Sequence, residues 1–210
     1  GPGAGLWYDL GPHLIDQALY LFGLPLTVNA SFGTLRRGGE TDDWAHVLLN
    51  YPRLRVILHS SLLVSGGGPR SILHGTKASW AKYGADVQEA QLISGMLPTD
   101  DRFGCDPVPG ILIDGAKGKR AEVPAPKGDQ RMYYVGVRDA ILRGQAPPLS
   151  GRDAVAVMAI LETSFQSGAE GRALPLPLTE EEHAEKRKNW NEGWNWSWQW
   201  ERQREWDWDH

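Results

Sequence analysis

Asp9, His13, Asp16 and Tyr20 combine residue types able to move protons with a spacing that groups them. Placed at 100° steps, the four fall in one narrow stripe of a helix, and Asp9 lies one turn before His13. A carboxylate beside an imidazole fixes its tautomer and raises its basicity, which suits general acid–base work near neutral pH. The same stripe also fits a solvated helix face carrying two acids, a His and a Tyr. Spacing alone leaves both readings open.

A helix from about residue 9 to Phe22 would position these groups. Leu10, Leu14, Ile15, Ala18, Leu19, Leu21 and Phe22 fall on the opposite half of the wheel and form its apolar side. Pro12 fits in the first turn, where its missing N–H is not needed, so the helix is expected to begin near Asp9. That start also puts a carboxylate where the helix dipole favours one. Gly23 and Pro25 supply the stop signal.

The run from Gly5 through Asp9, Gly11 and His13 to Asp16, closing in Leu21-Phe22-Gly23, closely resembles the Gly-x-x-x-Asp-x-Gly-x-His-x-x-Asp segment of the Gfo/Idh/MocA oxidoreductases. In that family the segment opens the second, substrate-side domain, directly after a dinucleotide-binding (Rossmann) domain. The resemblance implies that His13 is the catalytic His and Asp9 its partner. Asp16 would hydrogen-bond a substrate hydroxyl, with Tyr20 beside it as a substrate-binding residue. It further implies NAD or NADP as hydride carrier and a sugar, polyol or related carbonyl compound as substrate. A catalytic Lys would come from the first domain, outside this chain. Element order to about residue 178 also matches that second domain.

Downstream of the helix the pattern changes to strands. Val28, Ala30, Phe32 and Thr34 alternate with polar residues, and 43–51 and 53–64 read as a hairpin turning at 50–53. In the latter strand Leu54, Val56 and Leu58 share one face, and Ile57, His59 and Leu63 the other. Two more short strands, 70–75 and 77–83, bring the sheet to at least five, mainly antiparallel. A short helix over 86–96, a loop over 97–110 and a hairpin over 111–123 follow. Two helices complete the domain. One spans 129–142, with Met132, Val135, Ala140 and Ile141 apolar. The other is capped by Ser150 with Asp153 in capping-box position, and carries Ala154, Val157, Met158, Leu161 and Phe165 at core spacing. The expected fold is α+β, an open, mainly antiparallel sheet with helices on one face. The other face must then meet another domain, another subunit or solvent.

Several alternatives lose ground on spacing. The opening Gly1-Pro2-Gly3-Ala4-Gly5 has Leu6 where a dinucleotide loop needs its third glycine, and no strand precedes it. It reads as a lead-in to the helix of a chain whose upstream half is absent, or in part as a cleavage scar. Asp100, Asp101 and Asp106 do not match a calcium loop. His46, His59 and His74 sit on strands without the further ligands zinc needs, and a place lining the substrate cleft suits them better. Trp44 and Trp80 fit core or interface. Cys105 is the single cysteine, so there is no intrachain disulfide, and a reducing cytoplasm is the natural setting.

Charge divides the chain into two expected regions. Residues 1–178 carry 17 basic and 17 acidic side chains, and 179–210 carry 5 and 9, which supplies the whole net charge of −4. No basic footprint for nucleic acid emerges. No apolar run approaches the roughly 20 residues that span a bilayer, and no signal peptide is recognisable. The 179–210 tail holds seven of the ten Trp, four alternating at 194, 196, 198 and 200. It fits an aromatic ribbon for stacking or a non-native extension.

The expected function is the substrate-binding and oligomerisation half of an NAD(P)-dependent oxidoreductase. It would take a small-molecule substrate, pair with a missing Rossmann domain, and form a homodimer or higher oligomer through its sheet. Alone it is expected to hold no cofactor and show no activity. The rival is a non-catalytic module using the same sheet for self-association or ligand binding.

Overall fold

A computed structural model of the chain describes residues 3–183; the Trp-rich stretch on which the tail readings rest lies outside the described residues. The elements run α1 (Leu6–Phe22), β1 (Thr27–Gly33), β2 (Trp44–Asn50), β3 (Arg55–Ser61), β4 (Pro69–His74), β5 (Ala78–Tyr83), α2 (Gln88–Ile93), β6 (Gly110–Asp114), β7 (Arg120–Val123), α3 (Arg131–Arg143), α4 (Gly151–Glu170) and β8 (Leu174–Pro175). All strand pairs are antiparallel, and the fold is α+β.

The strands form two sheets, not the single one expected. One has the order β3-β2-β1-β8, the other β4-β5-β6-β7. The chain divides accordingly into two compact units, with Val64–Pro148 forming the second. The break has a local cause. After β3 ends at Ser61, Gly66 and Gly67 take φ of 79° and 74°, a left-handed conformation that suits glycine and interrupts an extended strand. Strand β8 escaped the sequence pattern because two residues show no alternation.

In the first unit, α1 and α4 cover one face of the sheet. Val28, Ala30, Ala45, Val47, Leu49 and Leu58 turn inward by strand alternation and pack with Trp7, Ile15, Ala18, Ile160 and Leu161. The expected capping box forms at Ser150 and Asp153, and Gly171 closes α4 in the left-handed conformation. Ser167, fully buried, accepts from the Ala30 amide at 3.0 Å and donates to the Arg172 carbonyl at 2.6 Å. It thereby joins α4 to β1 beyond the reach of the short β8. Phe165 stacks between Tyr8 and Phe32 at centroid distances of 4.6 and 4.7 Å.

Three expectations are corrected. Met158 is 43% exposed, because it lies about 160° around α4 from Ile160, opposite the buried stripe. Leu63 falls beyond the end of β3 and belongs to neither of its faces. The helix over Arg131–Arg143 has no buried residue, and Met132 and Ile141 are exposed. It lies in the second unit, whereas α1 and α4 belong to the first.

The second unit holds its irregular segments with polar contacts. Buried Gln88 donates to Asp86 and accepts from the Gln130 amide at 2.9 Å, fixing the start of α3. Lys82 pairs with Asp106 at 2.7 Å, and both side chains are largely buried.

Candidate active site

Helix α1 begins three residues earlier than its sequence suggests. The Asp42 main-chain oxygen accepts from the Leu6 amide at 2.9 Å, and its Oδ2 accepts from the Trp7 amide at 2.8 Å. Two amides that would end the helix unpaired thus gain a partner 35 or more residues away. Pro12 consequently sits in the second turn, where it leaves the Tyr8 carbonyl without its helical donor. The far end is tied as firmly. The buried Tyr51 hydroxyl donates to the Gly23 carbonyl at 2.9 Å, and burial pushes that phenol above its ordinary pKa.

Asp42 and Tyr51 flank β2. From one to the other is about 30 Å of extended chain, close to the roughly 26 Å length of a 17-residue helix. The strand therefore fixes α1 at both ends and sets which face it turns outward. Asp43, also fully buried, anchors the adjoining loop by accepting from the Leu35 and Arg36 amides at 2.8 and 2.9 Å and from Arg36 Nε at 3.0 Å. The Leu35 amide, followed by those from Arg36, holds the Asp43 carboxyl below its usual range.

The five motif positions divide by role. Gly5 has φ of +122°, and a Cβ there would collide with the Asp42 carboxylate. A Cβ on Gly11 would lie 2.9 Å from the Trp7 ring and 3.0 Å from Leu161, so this glycine allows α4 to approach α1. Asp9, His13 and Asp16 serve no such purpose. All three are exposed and, among the described residues, their side chains make no hydrogen bond or ion pair. Asp9 and His13, expected within reach of each other, are neighbours along the helix but are not bonded. Tyr20 continues the stripe at 69% exposure. Leu10, expected on the apolar side, is 39% exposed on the stripe's flank.

The described residues do not fit a dinucleotide. A pyrophosphate is held by free amides at a helix start. At α1 the first two amides are taken by Asp42. At α4 the Ser150–Asp153 box occupies the start, and near α3 Gln88 and Asp129 take the Gln130 and Arg131 amides.

The other sequence candidates lie elsewhere. His46 and His59 are paired in register across β2 and β3, with ring centroids 5.6 Å apart and Trp44 beside both. They face away from α1, on the side of the sheet opposite α1 and α4, so they do not line a cleft with the stripe. His74 belongs to the second unit, where its Nδ1 meets Ser79 Oγ at 2.9 Å. Asp100 is gripped by Arg102, whose guanidinium brings the carboxyl to about 2, and Asp106 is paired with Lys82. A shallow depression lined by Met96, Leu97, Asp100 and Arg102 lies in the second unit and holds none of the stripe residues. Sequence reading missed Asp42 and Tyr51 as positioning residues. Only their places, directly before a predicted strand and at its last residue, hinted at them.

A family model described as the oxidoreductase family, C-terminal alpha/beta domain, GFO_IDH_MocA_C, matches residues 1–178. The chain is 38% identical over 179 residues to the uncharacterized oxidoreductase YdgJ of Escherichia coli K12, covering 84% of this chain and 51% of the relative. It is 37% identical over 181 residues to the scyllo-inositol 2-dehydrogenase (NADP(+)) IolW of Bacillus subtilis 168, covering 84% and 50%. A crystal structure described as that of an oxidoreductase from Klebsiella pneumoniae superposes with a TM-score of 0.84 at 46% identity, covering 90% of this chain and 55% of that one. The chain spans about half the length of the curated relatives it matches.

Proposed function

Because the chain belongs to the Gfo/Idh/MocA oxidoreductase family, as its C-terminal alpha/beta domain, we propose that it is the substrate-side half of an NAD(P)-dependent dehydrogenase acting on a sugar, polyol or related carbonyl compound. The observation that carries this reading is the division of the motif: its glycines are consumed by packing, while Asp9, His13 and Asp16 are presented outward and unpaired. Beyond solvation and the favourable place of Asp9 near the helix start, the fold gains little from three unpartnered polar side chains on a helix anchored at both ends. A site formed with another domain would use all three. The similarity to a scyllo-inositol dehydrogenase supports the polyol class.

In this reading His13 takes the proton of the reacting hydroxyl during oxidation and returns it during reduction. Asp9, one turn before it, orients the imidazole and stabilises its charged form. Asp16 and Tyr20 hold neighbouring hydroxyls. A nicotinamide bound by the other half of the longer protein supplies the hydride acceptor or donor. The cytoplasm suits such redox work and an exposed Cys105.

The test compares two proteins. The longer protein should reduce NAD or NADP in the presence of a polyol. This chain alone should do neither that nor bind either nucleotide measurably by calorimetry, because its helix starts are already occupied. Micromolar nucleotide binding by the chain alone, or no turnover by the longer protein across polyols and sugars, would overturn the reading.

Self-association through the first sheet is the second part of the proposal. Leu48 and Ile57 are opposed in register on the uncovered face, with Trp44, His46 and His59 beside them, and Ile57 is 58% exposed. A two-fold dimer is the simplest closed arrangement that covers such a face. Ile57→Lys should shift the chain from dimer to monomer in light scattering with its circular dichroism unchanged. A wild-type monomer at high micromolar concentration would eliminate this interface.

A further inference from the structure

Gln17 stands on the flank of the stripe that no motif position occupies. Viewed down α1 with His13 at zero, Asp16 lies about 60° to one side and Gln17 about 40° to the other. Gln17 follows His13 by one turn, a spacing that brings side chains into neighbouring positions. It is exposed and, among the described residues, makes no hydrogen bond. Helix α1 carries two carboxylates and no Lys or Arg over Leu6–Phe22.

The donor and acceptor content of this face is asymmetric. Ionised Asp16 only accepts hydrogen bonds, whereas the Gln17 amide both donates and accepts. A carbinol presented to His13 would have its two neighbouring carbons directed towards one of these groups each. A hydroxyl on the Asp16 side must donate. A hydroxyl on the Gln17 side can do either. An anionic substituent on the first side would meet the like charge of Asp16, with no Lys or Arg on the helix to offset it.

We propose that Gln17 is a specificity-determining residue of this site, and that the face of α1 selects an uncharged substrate whose reacting carbinol has hydroxyl-bearing carbons on both sides. The inference rests on the assignment of His13 as the proton-transfer group. Gln17 reads the second flanking hydroxyl; it takes no part in the proton transfer. Its loss should therefore alter discrimination between substrates, with KM moving more than kcat.

The experiment uses the longer protein with its nicotinamide cofactor and two probes. Cyclohexane-1,2,3-triol has a central carbinol flanked on both sides, and cyclohexane-1,2-diol is flanked on one. The wild type should prefer the triol by about tenfold or more in kcat/KM, the scale of one hydrogen bond. Gln17→Leu should bring the two within about twofold, while Gln17→Glu, which keeps an acceptor, should retain part of the preference. Thermal unfolding of each variant would show that the exposed substitution leaves the fold intact. His13→Ala separates the two levels of the argument. If it abolishes turnover while Gln17→Leu leaves the triol preference unchanged, Gln17 is not the reader and the site assignment stands. If His13→Ala leaves kcat near the wild-type value, the assignment itself fails and this inference with it. An equal preference for the two probes in the wild type, or turnover of neither, overturns the substrate class.

Discussion

His13→Ala in the longer protein should lower kcat by roughly 10²–10⁴, the range for loss of a positioned general acid–base group. The expectation follows from the placement of the imidazole. It is exposed on a helix whose ends are held by Asp42 and Tyr51, and no residue within the described chain uses it. Stability should scarcely change, since exposed substitutions away from special contacts usually stay within about 0.5 kcal/mol. That pairing of a large kinetic loss with an unchanged melting temperature is the diagnostic result. Asp9→Asn should fall in the same direction by a smaller factor, because the imidazole would remain but lose its charged neighbour. A near-normal kcat for His13→Ala, measured by nicotinamide absorbance under saturating substrate, would return the stripe to a solvated helix face.

Trp7→Ala should have the opposite signature, with stability lost first. Trp7 is fully buried beside Phe32, and its ring lies under Gly11 at the approach of α4. Removing a buried Trp side chain costs about 3–5 kcal/mol through lost transfer energy and an unfilled cavity. For a chain of this size that is a fall in melting temperature of roughly 6–20 °C. Met158→Ala offers the internal comparison. It removes a large apolar side chain from the exposed side of α4 and should change stability by no more than about 0.5 kcal/mol. Chemical denaturation followed by circular dichroism would read both. Similar midpoints for the two variants would mean that the core is not organised around the α1–α4 crossing.

His13→Ala and Trp7→Ala act on one helix through different faces, and this division accounts for the motif. Within twelve residues, Gly5 and Gly11 let the backbone be capped and closely packed, while Asp9, His13 and Asp16 are left outward. In the proposed enzyme a packing error at Trp7 or Gly11 would therefore also lower kcat, by displacing the helix that carries His13. The converse does not hold for His13 itself.

The sequence by itself determined the local elements and which residue types share a face. Period-two alternation grouped Val28 with Ala30 in β1 and Val56 with Leu58 in β3, because alternation is a property of each strand alone. The same holds for the Ser150–Asp153 capping box, formed by residues three apart, and for the stripe from Asp9 to Tyr20, fixed by helical pitch. Tertiary structure decided whatever depended on partners distant in the chain. The start of α1 moved to Leu6, and Pro12 into its second turn, because Asp42 supplies acceptors that no local pattern announces. The strands split into two sheets, a matter of which edges meet and not of which residues are extended. His46 and His59 came together on the face away from α1, while His74 fell in the other unit, because pairing register is set between strands. Met158 and, in α3, Met132 and Ile141 stayed exposed, since amphipathic spacing shows that a helix has an apolar side but not whether anything packs against it.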